Sequence, residues 1–416
     1  FTTATNSYNV AVGADAGLLV TTGTNNTLIG AITGDALTEG VRNVALGYSA
    51  LGADTLGSRS VALGPFALVN QNFTTATNSN NVAVGYDAGV SMTTGIQNTF
   101  LGSNAGDALT DADFNVAVGL SALGADTLGS KSVAIGTNAL FSQNFTTATD
   151  SFNVAVGHSA GAALTTGISS TFVGSLAGDA ITTGSYNVAL GQGSLGANTA
   201  GNKNVAVGQA NLQALNHTTG VDGYNTAVGH NAGYAVTTGL YNTIIGGLAG
   251  DALTDADDNV AIGVNALSSD TLGSKSTAIG RTALQAQNFT TATDSYNVAV
   301  GFEAGANVTT GVQNTIIGGL AGDALTTGGS NVALGTNSLA SDTLGSKSVA
   351  IGQGSLFTQN FTTATDSFNT AVGFEAGAGV TTGTYNTFIG SEAGQANTTG
   401  GNNTAVGALA LESNTV

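Results

Sequence analysis

The 416-residue chain has no cysteine, no tryptophan, one proline and one methionine. Without cysteine there is no disulfide framework and no thiolate metal site, and the redox compartment stays open. A single proline excludes collagen, which couples glycine at every third position to abundant proline. Charge is scarce too: Asp, Glu, Lys and Arg make up 8% of the chain, against about a quarter in an ordinary soluble domain. Seven basic residues face 25 acidic ones, for a net charge of −18. Binding phosphates takes Lys and Arg in numbers, so nucleic acid is not expected as a partner. The acidic balance reads instead as a surface that stays soluble and resists self-association. No apolar run approaches the roughly 18 residues of a membrane span, so membrane insertion is not expected. Phe1-Thr2-Thr3-Ala4 lacks the basic start and apolar stretch of a signal peptide. A chain that is 42% hydrophobic has apolar surface enough to bury, so disorder is not expected.

What the chain has is glycine, 62 residues of it, and a repeat. Asn9-Val10-Ala11-Val12-Gly13 returns as Asn26-Thr27-Leu28-Ile29-Gly30, as Asn43-Val44-Ala45-Leu46-Gly47 and as Ser60-Val61-Ala62-Leu63-Gly64. Three spacings of 17 residues and one of 21 make a cycle of 72, which restarts at Asn81, Asn153, Asn225, Asn297 and Asn369. The count is 23 coils in five such cycles and part of a sixth, so residues 1–416 read as one continuous array. Each coil is too short for a helical hairpin, and interior glycine costs a helix about 1 kcal/mol. A short apolar stretch ended by glycine reads as a strand and a turn. Stacked, such coils form an all-β solenoid in which each strand pairs with its copies above and below.

Side chains alternate along a strand, so the two Val residues of Val-Ala-Val share one face and Ala takes the other. The Ala position enlarges once per cycle, in its second coil, at Leu28, Phe100, Phe172, Ile244, Ile316 and Phe388. With a lumen holding one layer of side chains, this predicts an Ala row facing outward and covered by further copies, a parallel homotrimer. The long coil adds Phe73-Thr74-Thr75-Ala76-Thr77, repeated from Phe145, Phe289 and Phe361 with His217 once in place of Phe. It reads as a bulge that packs one ring per cycle. A Thr column (Thr21, Thr38, Thr55, continued by Asn72) reads as an internal hydrogen-bonded ladder.

The Asn-Val-Ala-Val-Gly and Ser-Val-Ala-Ile-Gly signatures resemble the head repeats of trimeric autotransporter adhesins. The phrase Thr-Thr-Gly-x-x-Asn-Thr-x-Ile-Gly-x-x-Ala-Gly, at residues 381–394 and in variant form at 93–106, is similar to repeat arrays of phage and viral fibres. The resemblance implies a left-handed β-roll, usually trimeric, in a fibre or adhesin that projects an attachment device from a virion or bacterial surface. It also implies a host receptor or glycan, bound through regions outside this segment. The repeats here are longer than those of most adhesin heads, and no stalk, neck, anchor or chaperone domain is visible. Phe1 falls one cycle before Phe73 and Val416 falls inside a coil, as in a segment of a longer protein. Two other readings are a self-assembling extracellular filament subunit and, from the Thr column, an ice-binding solenoid.

No catalytic, cofactor or metal residue is assigned, and the chain is not expected to be an enzyme. His158 and His230 occupy one equivalent turn position, and His217 replaces a packing Phe. Asp111 with Asp113, and Asp255 with Asp257 and Asp258, pair carboxylates as a hard cation requires, but lack the glycine and distal glutamate of a calcium loop. Asp35, Asp107, Asp179, Asp251 and Asp323 read as a solvated row. Lys131, Lys275 and Lys347, with Arg59, have an Asp five residues earlier (Asp126, Asp270, Asp342, Asp54), read as a surface ion pair worth under about 1 kcal/mol. At Lys203 that site is Asn198.

Overall fold

Valine and isoleucine beside alanine, closed by glycine, give strands only three residues long, and their stacking makes the sheet. In the computed structural model, which describes residues 6–416, the chain is an all-β parallel solenoid of about 23 turns with no helix among the described residues. Two compact units divide it: Phe1–Asn204 with 216–221, and Val205–Leu215 with 222–416. The first holds eleven three-residue strands, from Val10–Val12 to Val188–Leu190; the second holds twelve, from Val205–Val207 to Thr404–Val406. Phe1, which the repeat aligns with Phe73, lies outside the described residues.

Within each unit successive strands pair in parallel and without stagger. Val82, Ala83 and Val84 face Thr99, Phe100 and Leu101, which in turn face Val116, Ala117 and Val118. The glycine after each strand permits this spacing. At Gly85 φ is +143°, and a Cβ there would lie 2.3 Å from the carbonyl oxygen of Gly102 in the next coil. Any side chain would push the coils apart. The long coils add a second, two-residue pairing, as between Gly57–Ser58 and Thr77–Asn78 or Gly129–Ser130 and Thr149–Asp150. Their rings pack inward as the sequence predicts: Phe73, Phe145, Phe289, Phe361 and the substituting His217 are all buried.

The orientation of the strands corrects one expectation. The Ala row does not face outward to be covered by other copies; it points into the lumen, with Ala45, Ala62, Ala83 and Phe100 fully buried. The enlarged members fit because glycine elsewhere makes room. Phe100 fills space left by two glycines, for a Cβ on Gly89 would lie 2.8 Å from its ring and one on Gly106 2.5 Å. Leu28 sits the same way between Gly17 and Gly34, and Phe172 between Gly161 and Gly178. The third and fourth coils of each cycle, with Ala at the strand centre, carry leucine at the corresponding turn, as at Leu51, Leu68 and Leu123, also buried. The first coil has Ala and glycine and leaves room for its neighbour's large side chain. Interiors are close-packed, and here the large side chain comes from the strand in the second coil and from the turn in the third and fourth. The flanking Val, Ile and Leu rows are therefore the outward ones.

Candidate functional site

Asparagine opens most coils and is the element whose role sequence reasoning missed. These residues form a buried ladder inside each unit. The Asn98 side chain accepts from the backbone N–H of Asn115 at 2.9 Å and donates to the Ala112 carbonyl at 2.7 Å. Asn115 repeats the pattern toward Ser132 and Gly129. In the second unit Asn242 accepts from Asn259 and donates to Ala256. One amide thus satisfies a donor and an acceptor that no other coil atom reaches, which suits Asn alone among small side chains. The recurrence of Asn before most apolar triplets, with Ser before the others, was the available signal.

The Thr column is a ladder, but of another kind. Thr93 Oγ1 donates to the carbonyl of Thr110 at 3.1 Å, not to a neighbouring hydroxyl, and the row is half-exposed rather than internal. Its Asn members continue it, with Thr127 donating to Asn144 Oδ1 at 3.1 Å.

Where the long coil meets its predecessor, the lumen turns polar. Asp54 is fully buried. Its Oδ1 accepts from the backbone N–H groups of Gly57 and Phe73 at 3.0 and 3.2 Å, and Oδ2 accepts from Gln71 Nε2 at 2.6 Å. Gln71 also donates to Ser60 Oγ and accepts from Asn81 Nδ2, each at 2.8 Å. The same layer recurs around Asp126 and Gln143, Asp270 and Gln287, and Asp342 and Gln359. Burial raises the Asp54 and Asp342 carboxyls above the ordinary carboxylate value, against the pull of these hydrogen bonds. The sequence has Asn198, Asn204, Leu215 and His217 at the matching positions of the third cycle, so four members of the layer change together.

The lysines pair differently from the expectation. Asp126 is in the lumen, and Lys131 instead meets Asp150, nineteen residues later, at 2.5 Å, with its ammonium 5.2 Å from the Phe152 ring centroid. Lys275 repeats this with Asp294 and Tyr296, and Lys347 with Asp366 and Phe368. The pair holds the Lys275 ammonium above its ordinary pKa and the Asp294 carboxyl below. Both partners are solvent-exposed, so the contribution to stability is small.

The candidate cation ligands serve the fold. Asp111 accepts from Thr94 Oγ1 at 2.6 Å, and Asp113 accepts from the Ile96 N–H at 2.7 Å. Asp257 accepts from the Leu240 N–H at 2.7 Å. Among the described residues no three His, Asp or Glu side chains gather as a metal-ligand set. The Asp107 row is not fully solvated as expected. Asp107, Asp251 and Asp323 each keep one buried, unpartnered Oδ1, and desolvation raises their carboxyls and that of Asp179. His158 and His230 are exposed turn residues.

The largest unexplained feature is apolar. The last residue of every three-residue strand is Val, Ile or Leu, and these rows stay half-exposed or exposed; Leu46 is 49% exposed, Leu101 48% and Ile135 38%. The first strand residue, always Val or Thr, forms a second row beside it. Eleven strands at about 4.8 Å make a strip about 50 Å long in the first unit alone. At two side-chain rows it covers roughly 350–500 Å², the size of the largest apolar patch on a typical monomer, which is often functional. No helix is long and apolar enough to cross a membrane among the described residues. No family model matches the chain, and no curated protein does.

Proposed function

We propose that the chain is a non-enzymatic structural segment of an extracellular fibre or adhesin, a parallel homotrimer that projects an attachment device from a virion or cell surface. In this reading residues 1–416 act as one array built in cycles of 72 residues, with no role for nucleic acid. The carrying observation is the uninterrupted aliphatic row on the outer sheet face, which a parallel, in-register copy would cover along its length. Burying apolar area contributes about 25 cal/mol per Å², and a flat strip of repeated rungs offers it at every coil. The acidic net charge opposes assembly: three copies carry −54, from −18 each. Screening by salt should therefore strengthen the trimer. The Thr hydroxyls are donated to backbone carbonyls, which gives the ice-binding reading little support.

The test is mass determination in solution, by light scattering and sedimentation, of the native chain and of a Leu101→Asp/Ile135→Asp variant. The native chain is expected at three times its 40.5 kDa mass. The variant, altered only on the outer face, should be monomeric with an unchanged circular dichroism spectrum. A native chain that is monomeric at all salt concentrations would overturn the proposal.

A further inference from the structure

The second unit carries a cleft of about 390 Å³, lined chiefly by Asn337, Gln353, Gly354, Phe357, Thr358 and Glu375. It opens where a side chain is missing. At the position of Gly354 the earlier cycles have Phe66, Asn138, Ala210 and Thr282, each with φ between 55° and 61°. Gly354 has φ +65°, so the backbone is the same and does not itself demand glycine. In the first cycle Phe66 occupies the position and packs edge-on against Tyr48 and Tyr86, centroids 5.4 and 6.1 Å away. In the fifth, a Cβ would meet only Glu375 Cγ, at 3.3 Å.

The walls differ as well. Phe357 stands where the earlier cycles have Val69, Phe141, Gln213 and Gln285, and Glu375 where they have Asp87, Ser159, Asn231 and Glu303. Of the five frames, the fifth alone sets an aromatic ring, a carboxylate and two amides around a missing side chain. The repeat therefore supplies its own comparison: coil stacking asks for none of these residues, because four equivalent coils stack without the combination.

The chemistry is that of a sugar site. Phe357 is 42% exposed, and an aromatic face is electronegative, suited to the C–H face of a pyranose. Glu375 has one oxygen fixed by Gln395 Nε2 at 2.8 Å, leaving the other to accept from a hydroxyl. The Asn337 and Gln353 amides both donate and accept, as vicinal hydroxyls do. The Thr358 hydroxyl lies 2.7 and 3.0 Å from the carbonyl oxygens of Ala378 and Val380 and shares its single proton between them, which stiffens the rim. No Lys or Arg lines the cleft, so a neutral sugar fits better than an acidic one. The volume lies within the roughly 300–1,000 Å³ of ligand sites.

The geometry points to Asn337, Gln353, Phe357 and Glu375 as a binding site for one neutral pyranose unit of a glycan. This rests on the attachment reading above and moves glycan contact onto the array itself. The test uses the whole chain with glucose, galactose, mannose and N-acetylglucosamine as probes, followed by saturation-transfer NMR and titration calorimetry. At least one sugar is expected to bind saturably. Gly354→Phe, which installs the residue of the first cycle, and Phe357→Ala should each weaken that binding at least fivefold with melting unchanged. No binding by any of the four sugars, or a loss below fivefold in Gly354→Phe, overturns the site. A monomeric chain that binds sugar at this cleft would sink the trimeric fibre and keep the site.

Discussion

Replacing Asn98 by alanine tests the buried amide ladder directly. Its side chain is the partner of two backbone groups, the Asn115 N–H at 2.9 Å and the Ala112 carbonyl at 2.7 Å, and the residue is fully buried. Each orphaned buried group costs about 1–3 kcal/mol, so the coil should lose about 2–6 kcal/mol, the sum over two groups. Asn98→Leu fills the space and loses the same two hydrogen bonds, which separates them from cavity effects. The comparison is Thr93→Val. The Thr110 carbonyl that its hydroxyl meets also accepts the Thr93 backbone N–H at 2.8 Å, so nothing is orphaned and the loss should stay near 1 kcal/mol. In a repeat array each coil touches only its neighbours, so the damage should be local. Hydrogen exchange by mass spectrometry is the assay. Amides of residues 98–132 should exchange about 30-fold to about 20,000-fold faster, taking about 1.4 kcal/mol per factor of ten. Equal effects of Asn98→Leu and Thr93→Val would refute the ladder as the source of register and stability.

Gly106→Ala should destabilise by about 1–3 kcal/mol through overpacking, because the new Cβ lies 2.5 Å from the Phe100 ring at φ +59°. Adding leucine there together with Phe100→Ala, which copies Ala117 and Leu123, should recover most of the loss in urea midpoints. Asp54→Asn should destabilise, because its amide would turn a donor toward Gln71 Nε2, the group that now donates at 2.6 Å. A second change, Gln71→Leu, should restore stability as the natural Asn198 and Leu215 combination implies, and failure of that rescue in thermal melts would count against the layer. Replacing Thr165, Thr182 and Thr199 with Val should cost roughly 1 kcal/mol per hydroxyl, read in melting and exchange, since each donates to a carbonyl one coil on. Acidification should stabilise the fold: Asp54, Asp107, Asp179, Asp251, Asp323 and Asp342 have folded pKa values raised above the unfolded ones by burial. The native state binds more protons in that window, so stability falls as pH rises through the folded values and is regained toward the ordinary carboxylate range. Melting temperatures that drop steadily between pH 7 and 5 would contradict this.

The period, the strand positions and the all-β class were legible because they are local. Asn-Val-Ala-Val-Gly marks strand and turn within five residues, and a repeat makes every coil a copy of the last. The burial of Phe73 and its equivalents was legible for the same reason, since one ring in a polar insertion has little else to do. The Asp-to-Lys pairing was not. Chain proximity put Asp126 beside Lys131, whereas coil stacking puts Asp150 there and sends Asp126 inside with Gln143.

The inward face was decided by tertiary structure. Val-Ala-Val is apolar on both sides, so alternation alone cannot say which side is wet. What decides it is lumen volume, which couples positions on different segments: Phe100 is admitted because Gly89 and Gly106 vacate the turn beside it. The same coupling turned the aliphatic row outward, gave the Asn amides their backbone partners and opened the Gly354 cleft, all of which depend on atoms one coil away. Sequence by itself determined what each coil is; stacking determined which of its faces meets solvent, because only neighbouring coils set the space inside.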